Sequence, residues 1–280
     1  MMERKTFIKD DKIQISYLEW NQGKTPLMLL HGMADNAFVW TSLGEHLKDN
    51  YHIIAPDLRG HGDSSKPETG YFTEDIISDL EALINYLGWQ KIHILAHSWT
   101  AKLVPIWATK NPDYFLSMIL VDPFYINKIP DVFKITFPFL YQVLPFLKMT
   151  GNFTTYEKAE NLAKTLKQYQ GWTPLQEKVF QNSIKKNDDG TWSSKFVLEA
   201  RNEIFTDVML QAGLTEKLVI PTLFIQPEKG LNRTSWQLQP FKTYLSNLTI
   251  KTVPSNHWAF LVQPQPFNEV IEEFLETRKN

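Results

Sequence analysis

Residues 91–103, KIHILAHSWTAKL, constrain the fold more than any other stretch of the chain. Ile92 to Leu95 form a short apolar run, which is typical of a strand buried on both faces of a parallel sheet. Thr100 to Thr109 is predicted to be a helix, and Ser98 lies at the bend between strand and helix. A strained turn at the end of a central strand lifts a serine hydroxyl clear of the sheet, where it can act as a nucleophile. The amide of Trp99 then faces the place where an oxyanion would form.

Strands and helices alternate on both sides of this stretch. After an opening hairpin around Asp10, buried strands are predicted at Pro26 to Leu30, at Tyr51 to Pro56 and at Phe115 to Val121. The helix that begins at Thr73 carries an apolar stripe at helical spacing. This alternation predicts an α/β fold with a mostly parallel central sheet and helices on both faces.

The alternation stops after Asp122 and resumes at Val219. The residues between show no strand pattern and are rich in helix formers, prolines and aromatic side chains. We therefore expect an α/β core formed by residues 1–123 and 218–280, with an inserted α-helical cap, or lid, at residues 124–217. Such a segment shapes a pocket over a nucleophile and excludes water.

Four loop motifs follow the predicted strands. They are Ala96-His97-Ser98-Trp99-Thr100, His31-Gly32-Met33, the run from Asp57 to Ser64 (D-x-R-G-x-G-x-S) and Asn256-His257 after the last strand. Together they resemble the α/β-hydrolase superfamily, in the serine hydrolase or esterase branch with an inserted helical cap. The chain departs from the family where Ala96 and Thr100 replace the glycines of Gly-x-Ser-x-Gly, and where Asn256 replaces a glycine.

The resemblance implies a role for each motif. Ser98 would be the nucleophile and His257 the general base, and the amides of Met33 and Trp99 would form the oxyanion hole. The Asp57 to Ser64 loop would be structural, since its glycines permit a tight turn that charged side chains can tie together.

The third member of the triad is open at the level of sequence. Most of the family carries an aspartate after the seventh strand, where this chain has Gly230. Asp122, at the tip of the sixth strand, is the first candidate, as in haloalkane dehalogenases and certain esterases, and Glu228 is the second. An ordinary turn aspartate before Pro123 is the structural alternative for Asp122.

The cap begins with the most apolar stretch of the chain, from Val132 to Met149. A helix buried against the core, a homodimer contact and a pocket lining are all compatible with it. The candidate pocket residues are Phe124, Phe133, Phe137, Tyr141 and Trp258. We expect a small, moderately lipophilic ester as substrate. A carbon–carbon bond hydrolase, lactonase or thioesterase on the same triad, or a hydrolase-fold ligand-binding or signalling protein with little turnover, are the alternatives.

Composition excludes several other classes of function. The net charge is −2, with no basic block, which argues against nucleic acid as a partner. The chain has no cysteine, and it has no dinucleotide fingerprint, Walker loop or HExxH pair, so we expect neither metal nor cofactor. The charged N-terminus does not resemble a signal peptide and the prolines in the apolar stretch argue against a membrane span, so a cytoplasmic location is expected.

Overall fold

A central sheet of eight strands forms the frame of the molecule. The computed structural model describes residues 1–20, 25–144, 147 and 149–278, and for residues 141–143 the backbone only. The strands of this sheet are β1 (Glu3–Ile8), β2 (Gln14–Trp20), β3 (Thr25–Leu30), β4 (Tyr51–Pro56), β5 (Ile92–His97), β6 (Phe115–Val121), β10 (Thr222–Lys229) and β11 (Leu248–Asn256). Their order is β1-β2-β4-β3-β5-β6-β10-β11. β2 pairs antiparallel with both β1 and β4, and all other neighbouring strands pair parallel. The sheet is therefore mostly parallel, as the sequence predicts.

Strand β5, which ends one residue before Ser98, lies inside the sheet between β3 and β6. All of its residues are buried. Successive side chains of a strand point to opposite faces, and the neighbouring β3 shows this clearly. Met28 and Leu30 pack into one hydrophobic cluster, whereas Leu27 and Leu29 pack into the other.

Helices cover both faces of the sheet. The helices of the chain are α1 (Thr41–Leu47), α2 (Thr73–Tyr86), α3 (Thr100–Lys110), α4 (Phe137–Val143), α5 (Tyr156–Ala163), α6 (Pro174–Ser183), α7 (Leu198–Leu210), α8 (Ser235–Tyr244), α9 (Ala259–Val262) and α10 (Pro264–Glu276). The apolar sides of α2, α3 and α8 belong to one cluster, and those of α1 and α10 belong to the other. The prediction of an α/β fold with two helical layers is confirmed.

Residues 124–217, the inserted segment, separate β6 from β10 and contain α4 to α7. They also contain a three-stranded antiparallel sheet of β7 (Asn152–Phe153), β8 (Ile184–Lys186) and β9 (Trp192–Ser194). The expectation of a stretch without strands is wrong here. Strands of two or three residues are too short to show the alternation by which strands are recognised in a sequence.

A buried lysine joins the inserted segment to α3, the helix that follows Ser98. Lys102 Nζ donates to the carbonyl oxygens of Tyr125 at 2.7 Å and Asn127 at 3.0 Å, and also to that of Val208 on α7. Burial lowers the pKa of Lys102 to about 7. Because the acceptors lie near both ends of the inserted segment, Lys102 holds these ends against α3.

The apolar stretch from Val132 to Met149 is only partly buried. Among its described side chains, Phe137 is buried whereas Val132, Ile135 and Phe139 are exposed, so the described part of the stretch does not form a helix packed wholly against the core. The stretch begins instead with a 3-10 turn at Asp131–Thr136, followed by the short α4. Within the described residues, no helix combines the length and hydropathy that crossing a membrane requires.

Candidate active site

The bend after β5 has the backbone geometry of a nucleophile elbow. Ser98 has φ 61°, in the left-handed region that a residue with a side chain adopts only under constraint. Two hydrogen bonds constrain it: the Ser98 amide donates to the Val121 carbonyl at 3.0 Å, and the Phe124 amide donates to the Ser98 carbonyl at 2.9 Å. The structure thus places Ser98 at the carboxyl end of the sheet, against the end of β6.

Positive φ values concentrate in this region. The described part of the chain has four non-glycine residues with positive φ, and three of them, Ala34, Ser98 and Asp122, follow the ends of β3, β5 and β6. Strained backbone of this kind clusters at active sites because the surrounding structure is built to hold it.

Thr100, one of the departures from the family pattern, has a contact that glycine could not make. Its buried Oγ1 accepts a hydrogen bond from the His97 amide at 3.1 Å. The same oxygen lies 2.9 Å from the His97 carbonyl and 3.1 Å from the His31 carbonyl, and its single proton can serve one of them at a time. The threonine hydroxyl therefore connects the elbow to the loop after β3.

His257 contacts a carboxylate on the neighbouring strand end. Its Nδ1 lies 2.6 Å from Oδ2 of Asp122, which is fully buried. Asp122 also accepts from the amides of Leu231 at 2.8 Å and Asn232 at 3.1 Å, and from the side-chain nitrogen of Asn232 at 3.0 Å. Burial alone would raise the pKa of Asp122, but His257, Asn232 and Leu231 together hold this pKa below its ordinary value. The carboxylate is therefore kept charged beside the imidazole.

The absence of a side chain at Gly230 leaves the space that the Asp122 carboxylate occupies. A Cβ on Gly230 would lie 2.5 Å from Oδ2 of Asp122, closer than any van der Waals contact allows. The loop in which most of the family carries its acid thus supplies amide donors and open space to an acid from β6. Glu228, the other candidate, lies in β10 and is exposed. The sequence places it in a loop, but β10 extends to Lys229 through an irregular pairing with β11.

The amides of Met33 and Trp99 are available for a ligand. Neither forms a hydrogen bond within the described part of the chain. The loop that carries Met33 is fixed by His31, whose Nδ1 donates to the Gly32 carbonyl at 2.8 Å and whose Nε2 accepts from the Leu58 amide at 3.0 Å. These partners set one neutral tautomer of His31, and burial lowers its pKa.

The loop from Asp57 to Ser64 is held in place by hydrogen bonds of its charged side chains. Asp57 Oδ1 accepts from the Ala37 amide at 2.7 Å, and its Oδ2 accepts from the Asp63 amide at 3.0 Å. Arg59 pairs with Asp79 on α2, with Nε donating to Oδ2 at 2.6 Å. The arginine therefore fastens this loop to α2.

The predicted pocket residues differ in where they lie. Trp258 is buried with its ring 4.8 Å from that of His257, and the Phe124 amide makes the contact with the Ser98 carbonyl. Phe137 is buried against Phe205 of α7, with ring centroids 5.2 Å apart. More than half of Phe133 is exposed. The side chain of Tyr141 lies outside the described residues.

Sequence reasoning missed several residues around the site. Asn232 holds Asp122 with two donors, yet a loop asparagine gives no signal in the sequence. Asp35 and His97 form a buried pair beside His257. His97 is visible in the sequence only as the residue before Ser98. In the described residues no cluster of three or more potential ligands could hold a metal ion.

Known proteins show the same fold over the whole chain. The family model for the alpha/beta hydrolase fold matches residues 25–264. A solved structure of E-2-(acetamidomethylene)succinate hydrolase superimposes with a TM-score of 0.80 at 21% identity, covering 99% of this chain and all of the other. A thioesterase domain from the curacin biosynthetic pathway gives a TM-score of 0.78 at 19% identity, covering 97% and 99%. At such identities these structures show the fold alone.

Relatives in sequence carry several hydrolase names. Epoxide hydrolase 4 of Mus musculus is 24% identical over 98% of this chain and 80% of its own length. The soluble epoxide hydrolase of a Corynebacterium species is 34% identical, but the match covers only 35% of this chain and 34% of the relative. The 2-(acetamidomethylene)succinate hydrolase of Mesorhizobium japonicum is 39% identical over 36% of this chain and 37% of its own.

The sheet, the elbow and the histidine–carboxylate contact define a hydrolase scaffold. The chain belongs to the α/β-hydrolase fold family. This membership supports a hydrolytic activity on a small molecule.

Proposed function

We propose that the protein is a serine hydrolase that cleaves a small ester or related acyl bond through an acyl-enzyme intermediate. One observation carries the proposal: the buried Asp122 carboxylate lies 2.6 Å from Nδ1 of His257. This contact directs the second ring nitrogen, Nε2, to act as a base toward the elbow serine. The similarity to proteins named epoxide hydrolases does not support epoxide hydrolysis here, because epoxide hydrolases of this fold have an aspartate at the position of Ser98.

The proposed reaction has two steps. Ser98 Oγ attacks the ester carbonyl carbon as His257 Nε2 takes its proton, and the imidazolium then gives that proton to the departing alcohol. In the second step a water molecule, deprotonated by His257, attacks the acyl-enzyme and releases the acid and the free serine. Asp122 holds the imidazole tautomer and stabilises its charged form. The amides of Met33 and Trp99 stabilise the oxyanion of both tetrahedral intermediates.

A fluorophosphonate probe tests the nucleophile. We expect it to label Ser98 in the wild-type protein and to leave the Ser98→Ala variant unlabelled. The same variant should lose hydrolysis of short p-nitrophenyl esters. Ser246→Ala, at an exposed serine, is the matched control and should behave as the wild type. Labelling that persists unchanged in Ser98→Ala refutes the assignment, and a panel of thioesters and lactones then identifies the acyl group that is preferred.

Aromatic residues around the site support a preference for uncharged, moderately lipophilic substrates. Phe124 and Trp258 follow the ends of β6 and β11, and the buried Phe137 contacts Phe205, which also contacts Phe124. The name of the Mesorhizobium relative implies a dicarboxylate-derived substrate, so a succinate half-ester is the opposing case. We expect a higher kcat/KM for a neutral butyrate ester than for the corresponding hemisuccinate. The reverse ranking would overturn this preference but leave the serine mechanism intact.

A further inference from the structure

A second Asp–His pair lies beside His257, and the proposed mechanism does not use it. Asp35 lies in the loop after β3, and His97 is the last residue of β5; both are buried. Oδ2 of Asp35 and Nδ1 of His97 lie 3.6 Å apart, and neither atom has a hydrogen-bond partner. Buried polar atoms without partners are rare, because each leaves a desolvation cost unmet.

The other ring nitrogen of His97, Nε2, contacts the backbone of His257, the proposed general base. Nε2 lies 3.0 Å from the carbonyl oxygen of His257, and the two rings are 4.4 Å apart. A carbonyl oxygen can only accept, so Nε2 carries the proton of the neutral ring. The Nδ1 atom then presents a lone pair to the carboxyl group of Asp35. Two acceptors face each other unless a proton lies between them.

We propose that at mildly acidic pH Asp35 carries a proton that it directs toward Nδ1 of His97, so that donors and acceptors alternate from Asp35 through His97 to the carbonyl oxygen of His257. Asp35 and His97 are then positioning residues that tie the oxyanion loop to the histidine base. This inference rests on the proposed function. No bond to substrate is involved, and neither the Asp35 proton nor the Nε2 proton of His97 is transferred during turnover.

The electrostatic surroundings favour this protonation state. Burial raises the pKa of Asp35 to about 6, against the smaller opposing influences of His31, His257, the Trp258 indole and the Gly32 amide. Burial also lowers the pKa of His97 well below its ordinary value, and His257 acts in the same direction. Below about pH 6 the proton therefore lies on the carboxyl group and not on the imidazole.

Further polar groups in the described part of the chain face the pair. Tyr169, from the inserted segment, and Asp122 interact with Asp35 and His97 respectively, and the Gly32 amide and the Trp258 indole face the Asp35 carboxyl group. An ionised Asp35, two residues after Met33, would oppose the negative charge that develops in the oxyanion hole. An uncharged Asp35 avoids this opposition.

Gly32 makes the close approach of the pair possible. A Cβ at Gly32 would lie 2.6 Å from Nδ1 of His97 and 3.1 Å from Oδ2 of Asp35. The glycine of the oxyanion loop thus leaves the room that the pair occupies.

Infrared spectroscopy tests the proton directly. A protonated carboxyl group has a C=O stretch separate from the carboxylate bands, and the Asp35→Asn variant removes it. We expect the wild-type minus Asp35→Asn difference spectrum to show this band at mildly acidic pH and to lose it as the pH rises. The kcat of the wild type on a p-nitrophenyl ester should fall with the same midpoint. Asp113→Asn, at an exposed aspartate, is the control and should leave both unchanged.

Two variants separate positioning from packing. Asparagine keeps an N–H donor for Nδ1 and cannot ionise, so Asp35→Asn should retain kcat and lose the fall in kcat that the wild type shows as the pH rises above the mildly acidic range. Leucine fills a similar volume without a donor, so Asp35→Leu should lose about tenfold or more in kcat with little change in KM, as small misplacements of catalytic groups do.

Absence of the carboxylic acid band at every pH from mildly acidic to mildly alkaline overturns the proposal. Equal kcat losses for the two variants, with a pH profile parallel to that of the wild type, would mean that Asp35 and His97 contribute only packing. That result also overturns the proposal. If Asp35→Leu fails to fold, the Asp35→Asn spectrum and pH profile still decide. Because the spectrum needs no turnover, a wild type that hydrolyses no ester would refute the proposed function while the band still reports on the proton.

Discussion

Replacing Asp122 by asparagine is the sharpest perturbation of the proposed site. Oδ2 of Asp122 faces His257 Nδ1 and the Leu231 amide, and Oδ1 faces two donors of Asn232. An amide NH2 at the Oδ1 position would oppose both donors of Asn232. At the Oδ2 position it opposes only the Leu231 amide, because Nδ1 of His257 can lose its proton and accept. The amide therefore selects the second orientation.

That orientation forces the wrong imidazole tautomer. With Nδ1 as acceptor, the ring proton moves to Nε2, which can then no longer take a proton from Ser98. A loss of up to about four orders of magnitude in kcat is the precedent for this change in a serine triad. The unmet Leu231 donor should lower the free energy of unfolding by about 1–3 kcal/mol. The fold should survive, since asparagine tolerates the φ of 42° at this position.

The assay combines ester hydrolysis with thermal unfolding. Glu228→Gln is the matched control, since Glu228 is an exposed carboxylate of β10, and it should be near wild type in both measurements. A folded Asp122→Asn variant with kcat within about tenfold of wild type would refute the tautomer argument. Loss of activity in Glu228→Gln would return the acid assignment to Glu228.

Three further outcomes are expected. Gly230→Ala should destabilise the protein by about 1–3 kcal/mol and lower kcat, because the new Cβ would collide with Asp122. Gly151→Ala is the control, since no atom lies within 4 Å of the new Cβ, and it should leave both stability and kcat unchanged. Equal effects of the two variants would contradict the argument that Asp122 needs the space at Gly230. Because burial raises the pKa of Asp35 from 3.8 to about 6, the folded state holds a proton that the unfolded state releases, so the free energy of unfolding should fall by about 3 kcal/mol as the pH rises through this window. Denaturant titrations of Asp35→Asn should lack this contribution, and identical pH slopes would contradict it. A homodimer through the inserted segment would bury the exposed Ile135, so Ile135→Glu should reduce the mass measured by light scattering; a monomeric wild type would remove that prediction.

The sequence alone determined the frame of the protein. Apolar runs such as Ile92 to Leu95 and Phe115 to Val121 are long enough, and bounded clearly enough, to define buried parallel strands and their helices. The positions of Ser98 and His257 followed, because residues after the ends of parallel strands meet at one edge of a sheet. The short strands β7 to β9 were not predicted from the sequence, because they depend on their pairing partners and not on a local pattern.

Only the tertiary structure decided which carboxylate meets His257. Asp122 and Gly230 are far apart in sequence, and nothing local reveals that the absent side chain of one makes room for the carboxylate of the other. The same holds for Asp35 and His97, which lie on separate strand ends and meet only in the folded chain. Local sequence encodes the conformation of a segment, whereas the protonation and pairing of buried polar groups depend on neighbours that the fold brings from a distance.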